Sequence, residues 1–119
     1  MRLDWPADEL NPNARPHYLT LAREKRAAKR QAHFAAWAAQ WHLQRELVAG
    51  ETPLQVHLRF VPPSVRNRDE DNLVASMKAA LDGLATALCV NDSRFRITHE
   101  LVRDQVGGFV DVTLSVPQP

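Results

Sequence analysis

Three segments of the chain alternate apolar and polar residues, which is the period of a half-buried β-strand. Their alternating positions are, in chain order, Leu54, Val56, Leu58 and Phe60, then Phe95, Ile97, His99 and Leu101, then Val110, Val112, Leu114 and Val116. Pro62 and Pro63 end the first segment, and the glycine pair at 107–108 separates the other two, so those two are predicted to form an antiparallel hairpin. Arg2 to Trp5 predicts a further short strand, followed by a loop rich in proline and asparagine up to about Tyr18.

Two further segments have the period of an amphipathic helix. Residues from about Thr20 to Leu47 are strong helix formers without internal glycine or proline, and Phe34, Trp37 and Trp41 form an apolar stripe along them. The second predicted helix runs from about Asn72 to Leu88. One of its faces carries the apolar residues Leu73, Met77, Ala80, Leu81, Leu84 and Leu88.

The order of these segments is strand, helix, strand, helix, strand, strand. It predicts an α+β fold in which two principal helices lie against a small mixed β-sheet. At 119 residues, 45% hydrophobic and 24% charged, the chain has the size and composition of one globular domain, which is predicted to span residues 1–119.

The amino-acid composition also indicates the cellular compartment in which the protein is expected. Cys89 is the only cysteine, so the chain can form no internal disulfide, and its apolar neighbours predict a buried thiol. The first ten residues lack the apolar run of a signal peptide, and no segment reaches the roughly 18 apolar residues of a membrane span. We therefore expect a soluble, cytoplasmic protein without a membrane partner.

The formal net charge is only +1, but the charges are unevenly distributed. Six bases and one acid lie between Arg15 and Arg30, and Arg23, Arg26 and Arg30 share one face of the first predicted helix. A basic segment of this kind suits a protein that binds a polyanion. It equally suits an ordinary solvated helix.

An acidic cluster lies further along the chain, at Asp69, Glu70 and Asp71. In an extended backbone, residues i and i+2 point the same way, so Asp69 and Asp71 are expected to project together as half of a metal site, while Glu70 points elsewhere. Asp71 also stands directly before the second predicted helix, where an acidic N-cap is common. An N-cap at Asp71 accounts for that acidic residue but not for Asp69.

Two more charged residues are candidates for the same site. On a helix of 100° per residue, Lys78 lies about 20° from Asp71 on the side away from the core, so its ammonium can serve a phosphate bound there. The alternative partner of Lys78 is Asp82 at i+4. Asp92 follows the helix at a turn and supplies a third carboxylate if that turn closes on the site; the alternative is a simple Asx turn at residues 91–93.

The segment RDEDNLVASMKAALDGL, followed by NDS, resembles the signature of the RusA family of Holliday-junction resolvases, in which an Arg-Asp-x-Asp-Asn motif opens a helix and a later acid completes the site. The opening LDWPADELNPNARPHY is similar to the starts of phage-borne members, so the resemblance covers nearly the whole chain. Two positions depart from the family pattern. Ala75 occupies the family's lysine position, with Lys78 about one turn further on, and Asn91 stands where many members have an acid.

The resemblance implies a metal-dependent endonuclease that resolves branched DNA, the four-way junction, by paired nicks, and that works as a homodimer. It implies that Asp69, Asp71 and Asp92 hold Mg²⁺, with Mn²⁺ as a substitute, and that Lys78 takes part in catalysis. The residues expected to contact DNA are Arg15, Arg23, Arg26, Arg30, Arg66, Arg68 and Asn72.

Two other functions stay open at this point. One is a DNA-binding module that keeps the fold without cleaving, which is consistent with the displaced lysine and with Asn91. The other is a metal-dependent transferase that uses Asp-x-Asp to hold a nucleotide phosphate, although no glycine-rich phosphate loop accompanies the motif.

Overall fold

The computed structural model describes residues 1–41 and 50–116, and it confirms an α+β fold with a mixed sheet and two main helices. Two single 3₁₀ turns, Asp8–Leu10 and Asp92–Arg94, lie between the larger elements. The first predicted helix ends at Ala38, with Ala39 as its C-cap and Gln40 at a left-handed φ of 61°, so the prediction of one unbroken helix to about Leu47 is wrong. Residues 42–47 lie outside the described residues. In chain order the elements are β1 (Arg2–Asp4), α1 (Tyr18–Ala38), β2 (Leu54–Val61), α2 (Glu70–Ala75), α3 (Lys78–Leu88), β3 (Phe95–Leu101) and β4 (Phe109–Ser115).

The four strands form one sheet in the order β1-β4-β2-β3. β2 pairs in parallel with β3 and antiparallel with β4, and β4 pairs antiparallel with β1. The predicted β3–β4 hairpin is therefore wrong, because β2 lies between the two strands. Gly107 and Gly108 do not turn the chain back on β3; their N–H groups donate to the carbonyls of Pro62 and Val61 at 2.8 and 3.0 Å and so extend the pairing of β4 with β2.

The core lies between the sheet and the two main helices. β2 buries four alternating side chains completely, as its pattern predicted: Leu54, Val56, Leu58 and Phe60. α3 buries most of its predicted apolar face, with Leu81 only partly covered. Among the described side chains that are less than 2% exposed, this central strand and Leu84 of this helix supply the largest, and β4 adds Val110 and Val112.

The buried face of α1 consists of small residues and not of the predicted aromatic stripe. Ala32 and Ala36 are fully buried, whereas Phe34 is 65% and Trp37 48% exposed; within the stripe, Trp41 is buried. The cause is the close approach of α3, since a Cβ added to its Gly83 would lie 2.3 Å from a backbone oxygen of α1. Two helix backbones this close leave room only for alanine and glycine between them.

The second predicted helix is interrupted near its first turn. α2 begins at Glu70, two residues earlier than predicted, and ends before Ser76 and Met77, after which α3 begins at Lys78. The buried Ser76 hydroxyl donates to the carbonyl of Asn72 at 2.8 Å, and the Met77 N–H donates to Val74, three residues back, at 3.0 Å. Back-bonding by serine and a tightened 3₁₀ turn both bend a helix, and together they account for the break.

Cys89 ends α3 in a left-handed conformation, with φ of 57°, and its side chain is exposed. The prediction of a buried thiol is therefore wrong, because the residue serves as the helix C-cap and its N–H donates to the Thr86 carbonyl at 3.2 Å. Across residues 1–41 and 50–116, the helices are all too short or too polar to cross a membrane.

Candidate functional site

Asp69 is the N-cap of α2. Its backbone is extended, with φ of −84° and ψ of 112°, and its carboxylate accepts a hydrogen bond from the N–H of Asn72 at 3.2 Å. The assignment of the cap to Asp71 is therefore wrong by two residues, because the helix begins at Glu70. A capping carboxylate uses one of its lone pairs on the backbone and has capacity for a further ligand.

Glu70 and Asp71 occupy the first turn of α2, where the positive end of the helix stabilises negative charge. Glu70 points toward the sheet, where its carboxylate lies 3.3 Å from Nδ1 of His99 and 3.8 Å from the Arg103 guanidinium. Asp71 is exposed. The prediction that Asp69 and Asp71 project together assumed an extended backbone, and only Asp69 has one, because Asp71 is helical. The prediction that Glu70 points elsewhere is confirmed by its contacts with His99 and Arg103.

A cavity of about 330 Å³ lies beside the Asp69 cap, between α2 and the loop that follows β1. Three residues expected to contact DNA line it together with Asp69, namely Arg66, Arg68 and Asn72. The other wall contains residues that the sequence did not single out: Trp5, Pro6, Ala7, Asp8 and Asn11. The cavity therefore combines two carboxylates with two guanidinium groups.

Arg68 is fixed in this cavity by contacts on two sides. Its Nη2 donates to both the hydroxyl and the carbonyl of Ser64, at 2.9 and 3.2 Å, and its guanidinium carbon lies 5.1 Å from the ring centre of Trp5. Its Nε is buried and has no hydrogen-bond partner among the described residues. Burial lowers the pKa of Arg68 from its usual value, the charge of Arg66 acts in the same direction, and the Asp8 carboxylate opposes both.

A second cavity, of about 310 Å³, adjoins the first along the same loop. Ala75, Lys78 and Asp82 line its helix side, and Asn11 lines both cavities. Ala75 and Lys78 therefore face one space. The loop of residues 9–16, together with Leu21 and Lys25 of α1, forms the other side of that space.

Lys78 lies between two carboxylates. Its Nζ is 3.8 Å from Oδ1 of Asp82, the i+4 partner predicted as the alternative, and 3.9 Å from Oδ2 of Asp92. The turn before β3 is an Asx turn made by Asn91, whose side chain accepts from the Ser93 N–H at 2.9 Å, so that the Asp92 carboxylate is directed to the lysine. Both ion pairs involve side chains between 40% and 77% exposed and are weak by themselves.

The predicted site residues thus form two neighbouring groups. Asp69, Asn72, Arg66 and Arg68 surround the first cavity, while Lys78 joins the second cavity to Asp92. Asp92 lines neither cavity. In the part of the chain that the structure describes, no group of three or more His, Cys, Asp or Glu side chains is arranged to hold a metal ion, and the three-acid site stays a prediction.

The remaining predicted DNA contacts are exposed on or before α1. Arg15 donates to the carbonyl of Ala14 at 3.3 Å, and Arg23 lies 3.7 Å from the Glu24 carboxylate. Arg26 and Arg30 line a shallow depression further along the helix. None of these four arginines lines either of the two cavities, although the residues on both sides of Arg15 line the second one.

Sequence reasoning missed Trp5, Asp8 and Asn11, which form the far wall of the site. A weak signal was present, since a tryptophan beside a proline in a polar loop normally has a partner to pack against. Its partners, Arg68 and the core ring of Phe60 at 5.9 Å, are more than fifty residues away in sequence. Local periodicity carries no information about contacts over such a distance.

Comparison with known proteins places the chain in a family without assigning an activity. No family model matches it. An uncharacterized protein of Xylella fastidiosa (strain Temecula1) is 34% identical to it over 117 residues, an alignment that covers 97% of this chain and 74% of the relative. Identity of this extent along nearly the whole chain reflects a common fold. The chain therefore belongs to the same protein family as this Xylella fastidiosa protein.

Proposed function

We propose that the protein is a magnesium-dependent endonuclease of the RusA type, which resolves four-way DNA junctions in the cytoplasm by paired nicks. Two kinds of observation support the proposal. The Arg-Asp-x-Asp-Asn motif lies at the start of a helix, at Arg68 to Asn72, as the signature requires. The cavities beside it combine carboxylate, guanidinium and ammonium groups, which hydrolysis of an anionic diester needs.

The observation that carries the proposal is the position of Lys78. Its side chain lines the cavity that adjoins the Asp69 site, and its ammonium lies 3.9 Å from Asp92, the third predicted acid. Lys78 thus lies close both to the cavity beside the Asp69 motif and to Asp92, which are separate parts of the RusA signature. An exposed lysine held by two weak ion pairs can exchange those partners for a phosphate at little cost.

The predicted ligands are carboxylates, the donor type that Mg²⁺ prefers, although no three acidic or histidine side chains are grouped for a metal within the described residues. Mg²⁺ prefers oxygen ligands and is typically held by one or two carboxylates together with water and substrate phosphates. Asp69 and Asp71 would hold the ion, and Asp92 is the candidate for a further ligand; Mn²⁺ accepts the same donors. When bound, the ion supplies charge neutralisation and an activated water.

The protein groups have separate parts in the reaction. Arg66 and Arg68 bind the anionic backbone next to the cleaved bond, and Trp5 and Ser64 hold Arg68 in place for that contact. Lys78 adds positive charge where negative charge develops on the phosphate. Asn72 keeps Asp69 oriented through its backbone N–H.

Paired nicks need two sites that face opposite strands. A homodimer with twofold symmetry supplies them, because each copy presents an identical site to one of two equivalent strands. The exposed arginines of α1 and of the preceding loop add contacts to the junction arms, which raise affinity without reading sequence.

Cleavage of a synthetic four-way junction in Mg²⁺ tests the proposal. Wild-type protein is expected to cut opposed strands, whereas Asp69→Asn and Asp71→Asn are expected to lose cleavage and keep junction binding. Asparagine caps a helix as well as aspartate, so Asp69→Asn removes charge without unfolding α2. The matched control is Asp104→Asn, an exposed acid away from the cavities. Cleavage by Asp69→Asn and Asp71→Asn at the wild-type rate contradicts the assignment of the site.

A second candidate is a module of the same fold that binds junctions without cutting them. The observation that favours it is the pairing of Lys78 with Asp82 and Asp92, together with Ala75 at the family's lysine position. The same assay distinguishes the two functions. Tight junction binding without nicking in either Mg²⁺ or Mn²⁺ identifies the module.

A further inference from the structure

The outward face of α1 carries cationic and aromatic side chains in a single stripe. On a helix of 100° per residue, the stripe residues lie within about 40° of one line, roughly opposite the buried Ala32 and Ala36. The stripe extends for about 21 Å at 1.5 Å per residue. Its members are Arg23, Arg26, Arg30, Phe34 and Trp37.

The two aromatic members expose much of their rings. Phe34 is 65% exposed and Trp37 48% exposed. His33 supports both: its ring lies parallel to that of Trp37, at 9° and 6.4 Å between centroids, and edge-on to Phe34 at 6.3 Å. The Phe34 ring is therefore steeply inclined to the Trp37 ring, and the two rings expose separate faces next to each other on one side of the helix, which single scattered apolar residues do not.

The cations beside these rings are available to a partner. Arg26, Lys29 and Arg30 line a shallow depression of about 330 Å³ together with His33 and Phe34. Within residues 1–41 and 50–116, none of these three cations is ion-paired with a carboxylate. The lining of the depression, as far as the described residues show, thus has three cationic side chains, two rings and no carboxylate, which suits an anion with flat apolar faces.

We propose that this stripe, together with Lys29 from the adjoining depression, binds an unpaired strand of DNA, with bases stacked on Phe34 and phosphates on Arg26, Lys29 and Arg30. Single strands offer both the base faces and the charges that the stripe matches. A duplex hides its base faces and uses only the cations. A second copy of the same stripe brings like charges together. The inference rests on the proposed function only in taking DNA as the partner, and it concerns a surface apart from the two cavities.

Fluorescence anisotropy with a labelled oligothymidylate, and with a duplex of equal length, tests the inference without divalent metal. Phe34→Ala is expected to weaken single-strand binding roughly 5- to 100-fold, the loss of one stacked base, and to leave duplex binding unchanged. Phe34→Tyr, which keeps a ring, is expected to retain wild-type affinity. Replacing Arg26, Lys29 and Arg30 together by glutamine is expected to weaken the binding of both the single strand and the duplex. For the single strand, the slope of log affinity against log salt concentration is expected to shrink by about 0.7 per lost phosphate contact.

Tyr18→Ala is the matched control, because Tyr18 is also an exposed aromatic on α1 but lies at its start, outside the stripe. Single-strand affinity unchanged in Phe34→Ala overturns the inference. So does a wild-type dimer that dissociates in Phe34→Ala, which assigns the rings to a second copy. If the wild type cuts junctions and Phe34→Ala binds single strands normally, this inference fails alone; if the wild type binds no DNA, the proposed function fails with it.

Discussion

Asp69 has a structural role as a helix cap and, in the proposed function, a second role as a metal ligand. Its carboxylate caps α2 through the Asn72 N–H, and it also lines the cavity that contains Arg66 and Arg68. A loss of activity on mutation can therefore arise from an unfolded helix end or from a lost charge. Substitutions that keep one property and remove the other separate the two.

Asp69→Ala is expected to lower the free energy of unfolding by about 0.5–2 kcal/mol, because the cap is lost. Asp69→Asn is expected to leave it within a few tenths of a kcal/mol, since asparagine caps equally well. Urea denaturation followed by circular dichroism measures both. Equal stability of the two variants contradicts the capping role in solution.

Lys78 permits a sharper test of the catalytic assignment. Lys78→Ala is expected to lower the cleavage rate by a factor of about ten to a thousand, as when a transition-state contact is lost, with little change in junction affinity. Stability should change little, because both of its ion pairs are exposed. Single-turnover cleavage and anisotropy measure the two quantities.

The rescue variant Ala75→Lys combined with Lys78→Ala moves the lysine to the position at which the proposed RusA resemblance expects it. Both residues line the same cavity, so part of the rate is expected to return. The break at Ser76 and Met77 alters the helical phase between the two positions, which makes full recovery unexpected. A wild-type rate in Lys78→Ala alone assigns the lysine to surface charge.

At the scale of elements, the sequence predicted what local periodicity encodes. β2 and the apolar face of α3 follow from alternation and helical spacing, because each buries one regular face. Local periodicity did not predict the pairing of β3 with β2 or the helix break before Lys78. The first depends on a strand forty residues earlier, and the second on the burial of Ser76, which tertiary packing decides.

The site was predictable to the same extent. Asp69, Asp71 and Lys78 could be singled out because charge next to an amphipathic helix is a local signal. Asp8 and Trp5 could not, since only the folded chain brings the loop after β1 against α2. Phe34 and Trp37 were wrongly predicted to be buried. The rule that large apolar residues face inward fails on α1, because the neighbouring helix approaches too closely for large side chains.

Gly83→Ala tests that close approach. Alanine is the better helix former by about 1 kcal/mol, so an exposed helix would gain stability from the change. Here the added Cβ would lie 2.3 Å from the Lys29 carbonyl oxygen, which is backbone and cannot rotate away. We expect a net loss of about 1–3 kcal/mol in the free energy of unfolding, as for other overpacked sites.

Thermal denaturation measures the effect of Gly83→Ala. Thr86→Ala, at an exposed position of the same helix, provides the control and is expected to change stability by no more than about 0.5 kcal/mol. A stabilised Gly83→Ala variant would show that the two helices are further apart in solution.

At the scale of the whole molecule, β1 is held to the rest of the fold through β4. Arg2 Nε donates to Asp111 Oδ1 at 2.8 Å, and its guanidinium lies 3.7 Å from the ring centre of Phe109. The Arg2 hydrogen bond is the main cause that lowers the pKa of Asp111, and the charges of Arg2, the N-terminus and Arg59 act in the same direction. The pair joins strands separated by more than a hundred residues.

Because the pKa of Asp111 is lower in the folded state, its contribution to stability is present above the unfolded value of about 3.9 and is lost as the pH falls through the folded value. Asp111→Asn is therefore expected to be less stable than wild type near pH 6, by at most about 1 kcal/mol for so exposed a pair. The difference should shrink toward zero near pH 2. Urea midpoints at several pH values measure it, and a constant difference would assign the effect to packing.

The strand order also determines when the sheet can form while the chain is being synthesised. β4, near the C-terminal end of the described chain, pairs with both β1 and β2, and the backbone of Val112 bonds to that of Met1 in both directions, at 2.7 and 3.1 Å. During synthesis, β2 therefore has no strand partner until β3 has been made, and one of its edges stays open until β4 has been made. β1 has no partner at all until β4 has been made. An open edge strand invites pairing with other chains. We expect the nascent protein to complete its sheet in one late step, and to depend on chaperones or fast elongation until then.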